Sequence, residues 1–462
     1  MKSLTVPASI DDSKKLQKLI DSTGNGAVKY TFSEDHEIEI NSLLRVFNFT
    51  ELDGKGCHIN LMENAHLKPF ASSIPLIAPK YPTSAEGLYF HDIVFDGRRD
   101  TQKYAKDECK SRGKNEWGQG YHNTIMLGAL NNVKYSNSTN CSFYNLEFYN
   151  SLGDGIRVEG GNGITVKDIK GRYGGHDVVC VAATKNVEVS GVEADLAVNA
   201  GVRFRSVTEG TIHDCKLNGG TGIAYSPAIQ IQSTAKNWRC SGVTVYNNYI
   251  HDTYGPGIWV AGSVPDNDTI IKNNLLLRCG QMPAANKISG VGAIVTDGFD
   301  AQIQNNTIVD SYGYGVLAGY YQMKSDITGS VTVNRNIITG TRKSFYPVSS
   351  DAGVANLTAG RYTIDCSENC LYDNIRDLYG VTQTDGIYQD PNFMLGYRLH
   401  SESPCRKTDY SLGCYQDLVD EEITKLLITC KECDISNIIS QLPAIEMAGM
   451  SITVKPFQRL VD

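Results

Sequence analysis

The chain has 462 residues, among them 44 Gly, 25 Tyr and 13 Cys, with 20% charged residues and a formal net charge of −8. That balance argues against a nucleic-acid phosphate footprint, and no window of 18 or more apolar residues predicts a membrane span. Thirteen Cys, an odd number without a dense framework, predict mostly reduced thiols rather than a disulfide scaffold.

The first residues, Met1-Lys2-Ser3-Leu4-Thr5-Val6-Pro7, carry no apolar core or cleavage site, so no secretory signal is visible. Asp11 or Asp12 can cap a helix over Ser13-Lys14-Lys15-Leu16-Gln17-Lys18-Leu19-Ile20, with Leu16, Leu19 and Ile20 on one face. Residues 1–27 are therefore predicted to close the open end of a strand-rich region. Strand patterns begin at Val28-Lys29-Tyr30-Thr31-Phe32 and Ile38-Glu39-Ile40 and continue through residues 50–56 and 93–97. A polar stretch from Arg98 to Gln119, with Lys103, Lys106, Lys110, Arg112, Lys114 and Trp117, predicts a loop leaving one coil.

A short phrase then recurs: Gly-Asp-Gly-Ile-Arg-Val at 153–158, His-Asp-Val-Val-Cys-Val at 176–181 and Asn-Ala-Gly-Val-Arg-Phe at 199–204. It returns as Ser-Pro-Ala-Ile-Gln-Ile at 226–231, Gly-Pro-Gly-Ile-Trp-Val at 255–260 and Gly-Tyr-Gly-Val-Leu-Ala at 313–318. Ile156, Val179 and Val202 are 23 residues apart, the period of a solenoid built from short strands. A second column, Val243-x-Val245-x-x-Asn248, repeats in phase at Asn274, Asn306 and Asn336. An Asn at one turn position of successive coils tolerates a left-handed backbone and bonds the coils above and below, a structural role. Cys141, Cys180, Cys215, Cys240 and Cys279 recur about once per coil and read as small apolar stack members.

These repeats resemble the right-handed parallel β-helix of the pectin-lyase-like superfamily, across residues 28–415. Asp390-Pro391-Asn392-Phe393, Tyr397-Arg398-Leu399, Ser403-Pro404 and Leu412-Gly413-Cys414-Tyr415 are similar to the closing coil of such proteins. The resemblance implies an all-β solenoid. Residues 416–462 change character and are predicted to form a small α/β cap or assembly module, partly helical over 421–442 with a strand at 451–454.

Successive coils of a β-helix rise by about 4.8 Å, so equivalent positions stack. If Ile156, Val158, Val179, Val181, Val202 and Phe204 point inward, alternation turns Arg157, Cys180 and Arg203 outward. Two residues before each first inward position lies a further column, Asn123, Asp154, Asp177 and Ala200, flanked by His122, His176 and Asn199. The candidate catalytic residues are thus Asp154, Asp177, His176 and Arg203. The candidate substrate-binding residues are His122, Asn123, Arg157, Arg205, Gln230 and Trp259, with Tyr254, Tyr312, Tyr314, Tyr320 and Tyr321 as further sugar-stacking rings. Two chemistries suit the patch. Paired carboxylates serve glycoside hydrolysis, or Asp154 and Asp177 hold Ca²⁺ while Arg or His abstracts a proton beside a uronate. The cofactor expectation is accordingly none or Ca²⁺. Cys430-Lys431-Glu432-Cys433 is half a metal knuckle with no second pair at a fitting distance.

The polygalacturonase-like branch of the superfamily offers a closer resemblance. Asp154 matches its first Asp and Asp177 the second of its Asp pair. His176 replaces the other Asp, Ala200 stands at the His, and Gln230 and Gln232 stand at the Arg and Lys. The chain also resembles β-helix tailspikes of phage in size, acidic charge and a module after the helix. That resemblance implies a homotrimer or contact with other virion proteins, a virion or extracellular place, and a protein that binds and degrades a cell-surface polysaccharide. The alternatives are a free-standing secreted lyase or glycoside hydrolase, and a non-enzymatic adhesin or structural spike.

Overall fold

The computed structural model describes residues 1–65, 76–81, 83–103, 123–128, 137–220, 226–233, 239–262, 268–282, 291–296, 300–319, 329–346, 349–358, 362–407 and 410–415, with the backbone of 425–430 and 451–456. Parallel strands pair coil upon coil from Lys2–Thr5 to Leu378–Tyr379, which makes a parallel β-helix. Three strand columns run along it. The first passes through Leu44–Val46, Ile77–Pro79, Ile125–Leu127, 156–158, 179–181, Val202–Arg205, Ile229–Ser233, Ile258–Gly262, Gly292–Thr296, Tyr314–Ala318 and Ala352–Asn356. The second starts at Lys2–Thr5 and ends at Tyr362–Ser367; the third runs from Glu37–Ile40 to Cys370–Tyr372.

The recurring phrase forms the first column, and its alternation sets what faces the core. Ile156, Val179, Val202, Ile229, Ile258, Ile294, Val316 and Val354 stack in register, each fully buried. Burial on this scale contributes roughly 1.5–3 kcal/mol per aliphatic side chain. The glycine before the inward residue has a packing cause. A Cβ at Gly155, Gly257 or Gly315 would lie 2.8, 2.8 and 2.6 Å from the carbonyl oxygens of Val178, Ala293 and Gly353 in the following coil.

Helix α1, Ser13–Thr23, covers the free edge of the first column. Asp12 caps it by accepting from Lys15 N at 2.8 Å, and Leu16 and Ile20 are buried. Gln17 completes the cover by pairing its amide with the backbone of Arg45: Oε1 accepts at 2.7 Å and Nε2 donates at 3.0 Å. The edge strand's open hydrogen-bonding groups are thereby used.

The Asn column is a buried ladder. Asn274 Oδ1 accepts from Asn248 N and Nδ2, Asn306 Oδ1 from Asn274, Asn336 Oδ1 from Asn306 and Asn369 Oδ1 from Asn336, all at 2.9–3.0 Å. Gln383 ends the series by accepting from Asn369 Nδ2 at 2.9 Å. The left-handed turn falls one residue before each ladder position, at Asn247, Asn273, Asn305, Arg335 and Glu368, and not at the ladder Asn as the sequence pattern predicts.

The chain divides into two compact units, Met1–Cys414 and Tyr415–Asp462. In the second, Lys425–Cys430 pairs in parallel with Ser451–Pro456. Where part of 421–442 is expected to be helical, residues 425–430 are strand, with Ile428, Thr429 and Cys430 favouring an extended chain; the rest of that span lies outside the described residues. All described cysteines of the first unit are free thiols. No helix among the described residues is long and apolar enough to cross a membrane.

Candidate functional site

The turn between the third column and the first holds the candidate acids, but they do not face solvent as the sequence pattern predicts. Asn123, Asp154 and Asp177 are fully buried and form a second ladder. Asn123 Oδ1 accepts from Asp154 N at 2.9 Å, Asp154 Oδ1 from Asp177 N at 3.0 Å, and Asp177 Oδ1 from Ala200 N at 3.0 Å. Each side chain satisfies the backbone of the next coil, so its orientation is along the stack. Ala200 ends the series because it has no acceptor to offer.

Cations and one carboxylate gather over this ladder. Arg157 Nη1 donates to Asp154 Oδ2 at 2.7 Å, and its Nε and Nη2 bond Glu159 Oε1, the former at 2.8 Å. His176 Nδ1 donates to Asp154 Oδ1 at 2.6 Å, and Asn199 Nδ2 donates to Asp177 Oδ1 at 2.6 Å. Arg203 Nη2 donates to Gln232 Oε1 at 2.5 Å. Asp177 Oδ2 is buried and makes no hydrogen bond; its ion-pair contacts are His176 Nδ1 at 3.2 Å and Arg203 Nη1 at 3.6 Å. Arg205, half-buried on the same strand as Arg203, forms no ion pair among the described residues.

These contacts fix the protonation states. Burial alone would raise the carboxyl of Asp154, but the charges of His176 and Arg157 outweigh it and hold the group well below its ordinary range. Asp177 is lowered likewise, against burial, chiefly by His176. Burial would drive the proton off His176, yet Asp177 and Asp154 raise it to about 9. Burial pushes the Cys180 thiol up, and it is inert. His176 is thus an imidazolium at neutral pH, with Nδ1 pinned by a carboxylate. Its Nε2 makes no hydrogen bond among the described residues.

Several buried polar atoms near these coils make no hydrogen bond among the described residues. Asp177 Oδ2, Arg203 Nε and Gln230 Oε1 stand on three successive coils, and Gln230 pairs in register with Arg203. Trp259 continues the same column but is 92% buried, in an apolar cluster with Val295, Leu317, Tyr314 and Ala355, and so presents no open ring face to a sugar. Tyr314 is buried with it; Tyr312 stacks on Phe345 at 4.9 Å. His122, Tyr320 and Tyr321 lie outside the described residues, as do most of the polar stretch from Arg98 to Gln119 and Cys433. Glu159 was missed by the sequence pattern, although alternation from Arg157 places it on the same face.

Two groups bring three ligand-type atoms within 4.8 Å of one another: Asp154, Asp177 and Cys180, and, near the first coils, Glu51, Asp53 and His91. Neither fits a metal ion. Arg157, His176 and Arg203 already neutralise the first group. Lys29 Nζ bridges Glu51 at 2.7 Å and Asp53 at 2.8 Å, at the place a cation would take in the second.

A family model described as a right handed beta helix region matches residues 114–274, which include the patch. A second, described as disaggregatase related, matches residues 241–406, beyond it. No curated protein matches the sequence. Among solved structures, the chain is similar to the A-module of the mannuronan C-5 epimerase AlgE6 of Azotobacter vinelandii, at 13% identity over 82% of this chain and 96% of that one, with a TM-score of 0.46. It is similar to an exopolygalacturonase of Thermotoga maritima, at 11% identity, 84% and 92% coverage and a TM-score of 0.45. A polygalacturonase of Erwinia carotovora gives 10% identity, 83% and 96% coverage and a TM-score of 0.43. These likenesses assign no residue a role. The chain is a right-handed parallel β-helix.

Proposed function

We propose that this protein recognises an acidic polysaccharide through the patch formed by Arg157, His176, Arg203, Arg205 and Gln230. One observation carries the reading: Arg203 Nε and Gln230 Oε1, on residues paired in register on consecutive coils, are buried and make no hydrogen bond among the described residues. Orphaned buried polar groups are costly, about 1–3 kcal/mol each, and a ligand rich in hydroxyl groups relieves donors and acceptors together. Arg205, a cation with no ion pair among the described residues, supports an anionic sugar over a neutral one.

Cleavage is the second reading, favoured by His176. Its cationic ring, oriented through Nδ1 by Asp154, is suited to protonate a leaving glycosidic oxygen from Nε2. Asp154 and Asp177 then act as positioning residues, because their oxygens are committed to backbone amides and cations. Retaining hydrolysis by this pair fits poorly, since neither carboxyl is kept protonated to serve as the acid. We place the protein among tailspike-like binders of cell-surface polysaccharide, in a virion or extracellular setting. The acidic charge and the unit after the β-helix support this.

The test is a panel of acidic and neutral polysaccharides, scored for binding, for new ultraviolet absorbance from unsaturated products and for reducing ends. Acidic chains are expected to bind, with Arg203→Ala weakening affinity at least tenfold; reducing ends that His176→Gln abolishes would establish cleavage. Equal binding of neutral chains, or indifference to Arg203→Ala, removes the reading.

A further inference from the structure

Beyond Leu378–Tyr379 the first unit closes the β-helix with little regular structure. Among its described residues from 380 onward there are one turn of 3-10 helix, Leu395–Tyr397, and isolated bridges. The buried apolar side chains there are Pro391, Leu399, Cys405 and Leu412. The segment instead folds back over the outward face of the third column. Ile387 bridges Cys370 in the last coil. Gly413 N donates to Arg335 O at 3.0 Å, one coil earlier, and Cys414 N to Thr307 Oγ1 at 3.0 Å, two coils earlier.

This cover shows in the burial of one line of positions. Lys216, Tyr249, Leu275, Thr307, Ile337 and Cys370 pair in register, each one residue before a buried inward aliphatic, so all six point outward. Lys216 and Tyr249 keep access to solvent, whereas Thr307, Ile337 and Cys370 are buried. Cys370 thus faces the closing segment and not the core. Its Sγ donates to Gln389 O at 3.3 Å, and its thiol is in hydrogen-bonding contact with the thiol of Cys405. Cys405 is fully buried as well, its N donating to Ser403 Oγ at 3.1 Å and its O accepting from Leu412 N at 2.9 Å. Cys141, Cys215 and Cys279, by contrast, turn their thiols to the carbonyl oxygens of Thr139, His213 and Leu277.

From this placement we infer that Cys370 and Cys405 are an oxidisable pair that joins into a disulfide and fastens the closing segment to the last coil. The two lie 35 residues apart, and a cross-link over so long a loop removes much of the freedom of the unfolded chain. The oxidant is a small-molecule disulfide such as oxidised glutathione. The Cys405 thiolate attacks one of its sulfurs and expels one glutathione thiolate. The Cys370 thiolate then attacks the Cys405 sulfur of the mixed disulfide and expels the second. The pair gives up two electrons and two protons, and the oxidant leaves as two thiols. The roles follow from the surroundings. The hydrogen bond with Cys370 holds the Cys405 thiol below its ordinary range against burial, aided by Ser403 and Lys407, and the same contact pushes Cys370 up. Exchange takes place while the segment is lifted, and docking then shields both sulfurs from reductants. The extracellular setting proposed above is where such an oxidant persists, but the pairing does not depend on what the patch binds.

The test equilibrates the full chain, purified reduced, with mixtures of oxidised and reduced glutathione, followed by acid quench, denaturation and alkylation. Intact mass should show two fewer alkylated thiols than the 13 of the chain treated with dithiothreitol. Trypsin without reductant should release residues 362–376 joined to residues 399–406. Cys366 lies in the same fragment as Cys370, so Cys366→Ser should keep the link and Cys370→Ser abolish it. In hydrogen exchange the amides of Ile387, Cys405 and Leu412 should open about tenfold less often in the oxidised chain than in the reduced one, and Cys405→Ser should erase that difference. Thirteen alkylated thiols at every glutathione ratio overturn the assignment, and so does a link through Cys366 or any other cysteine. Equal exchange in the two redox states overturns the fastening.

Discussion

His176 is the residue on which the charge balance of the patch depends. Its folded pKa is raised from 6.5 to about 9, so its stabilising contribution is complete below about pH 6.5 and lost as pH rises through 9. Asp154 and Asp177 are lowered, so theirs is present above the ordinary carboxylate range and lost on acidification. The unfolding temperature should fall between pH 6.5 and 9, by an amount on the order of 2–3 kcal/mol in stability. In His176→Gln that alkaline slope should vanish and stability at pH 6 should drop by a similar amount. A wild-type profile flat over this range would remove His176 as the counter-charge. That Asp154, Asp177, His176, Arg157 and Arg203 meet was legible, because a 23-residue step stacks equivalent positions. Their burial was not, because one coil's sequence does not tell which backbone amide an Asp will cap. The partial signal lay further along, where outward positions turn apolar at Trp259, Val295, Leu317 and Ala355.

Between coils, the Asn ladder shows how an element made of irregular turns is held to one register. Asn306 Oδ1 accepts from the backbone and side chain of Asn274, while its Nδ2 donates to Ile271 O, Gln304 O and Asn336 Oδ1. Asn306→Ala leaves buried donors and acceptors unpaired on both sides, at about 1–3 kcal/mol each, so a loss of roughly 3–5 kcal/mol is expected in denaturant unfolding. Asn306→Asp keeps the acceptor but sets a carboxylate against three acceptors, and should cost at least as much at pH 7 and less at pH 4. If Asp is tolerated at pH 7, the ladder's direction is other than described. Four rungs were legible from the in-phase Asn248, Asn274, Asn306 and Asn336. Asn369 and Gln383 escaped notice because Cys366 stands where Val245, Ile271, Ile303 and Val333 lead into the earlier rungs, and the last member is a different residue type.

At the scale of the molecule, a solenoid presents its faces along a rod, and a groove spanning a few sugars gives modest affinity by itself. Closed rotational symmetry multiplies that affinity when several grooves meet one surface, by about 10²–10⁴ where geometry permits. A tailspike-like role therefore predicts an oligomer of three chains in sedimentation, and binding to a polysaccharide-coated surface that exceeds binding to a soluble oligosaccharide by two orders of magnitude or more. In the proposed contact the protein side is ionic, through Arg157, Arg203 and Arg205, so both affinities should decline between about 0.05 and 0.5 M salt, roughly in step with screening. Avidity and charge are separable in such data: salt acts on each groove, whereas the surface-to-solution ratio reads only the number of linked copies. A single-chain mass with a ratio near one would leave the patch reading intact and end the tailspike reading, returning the protein to a free-standing binder or enzyme.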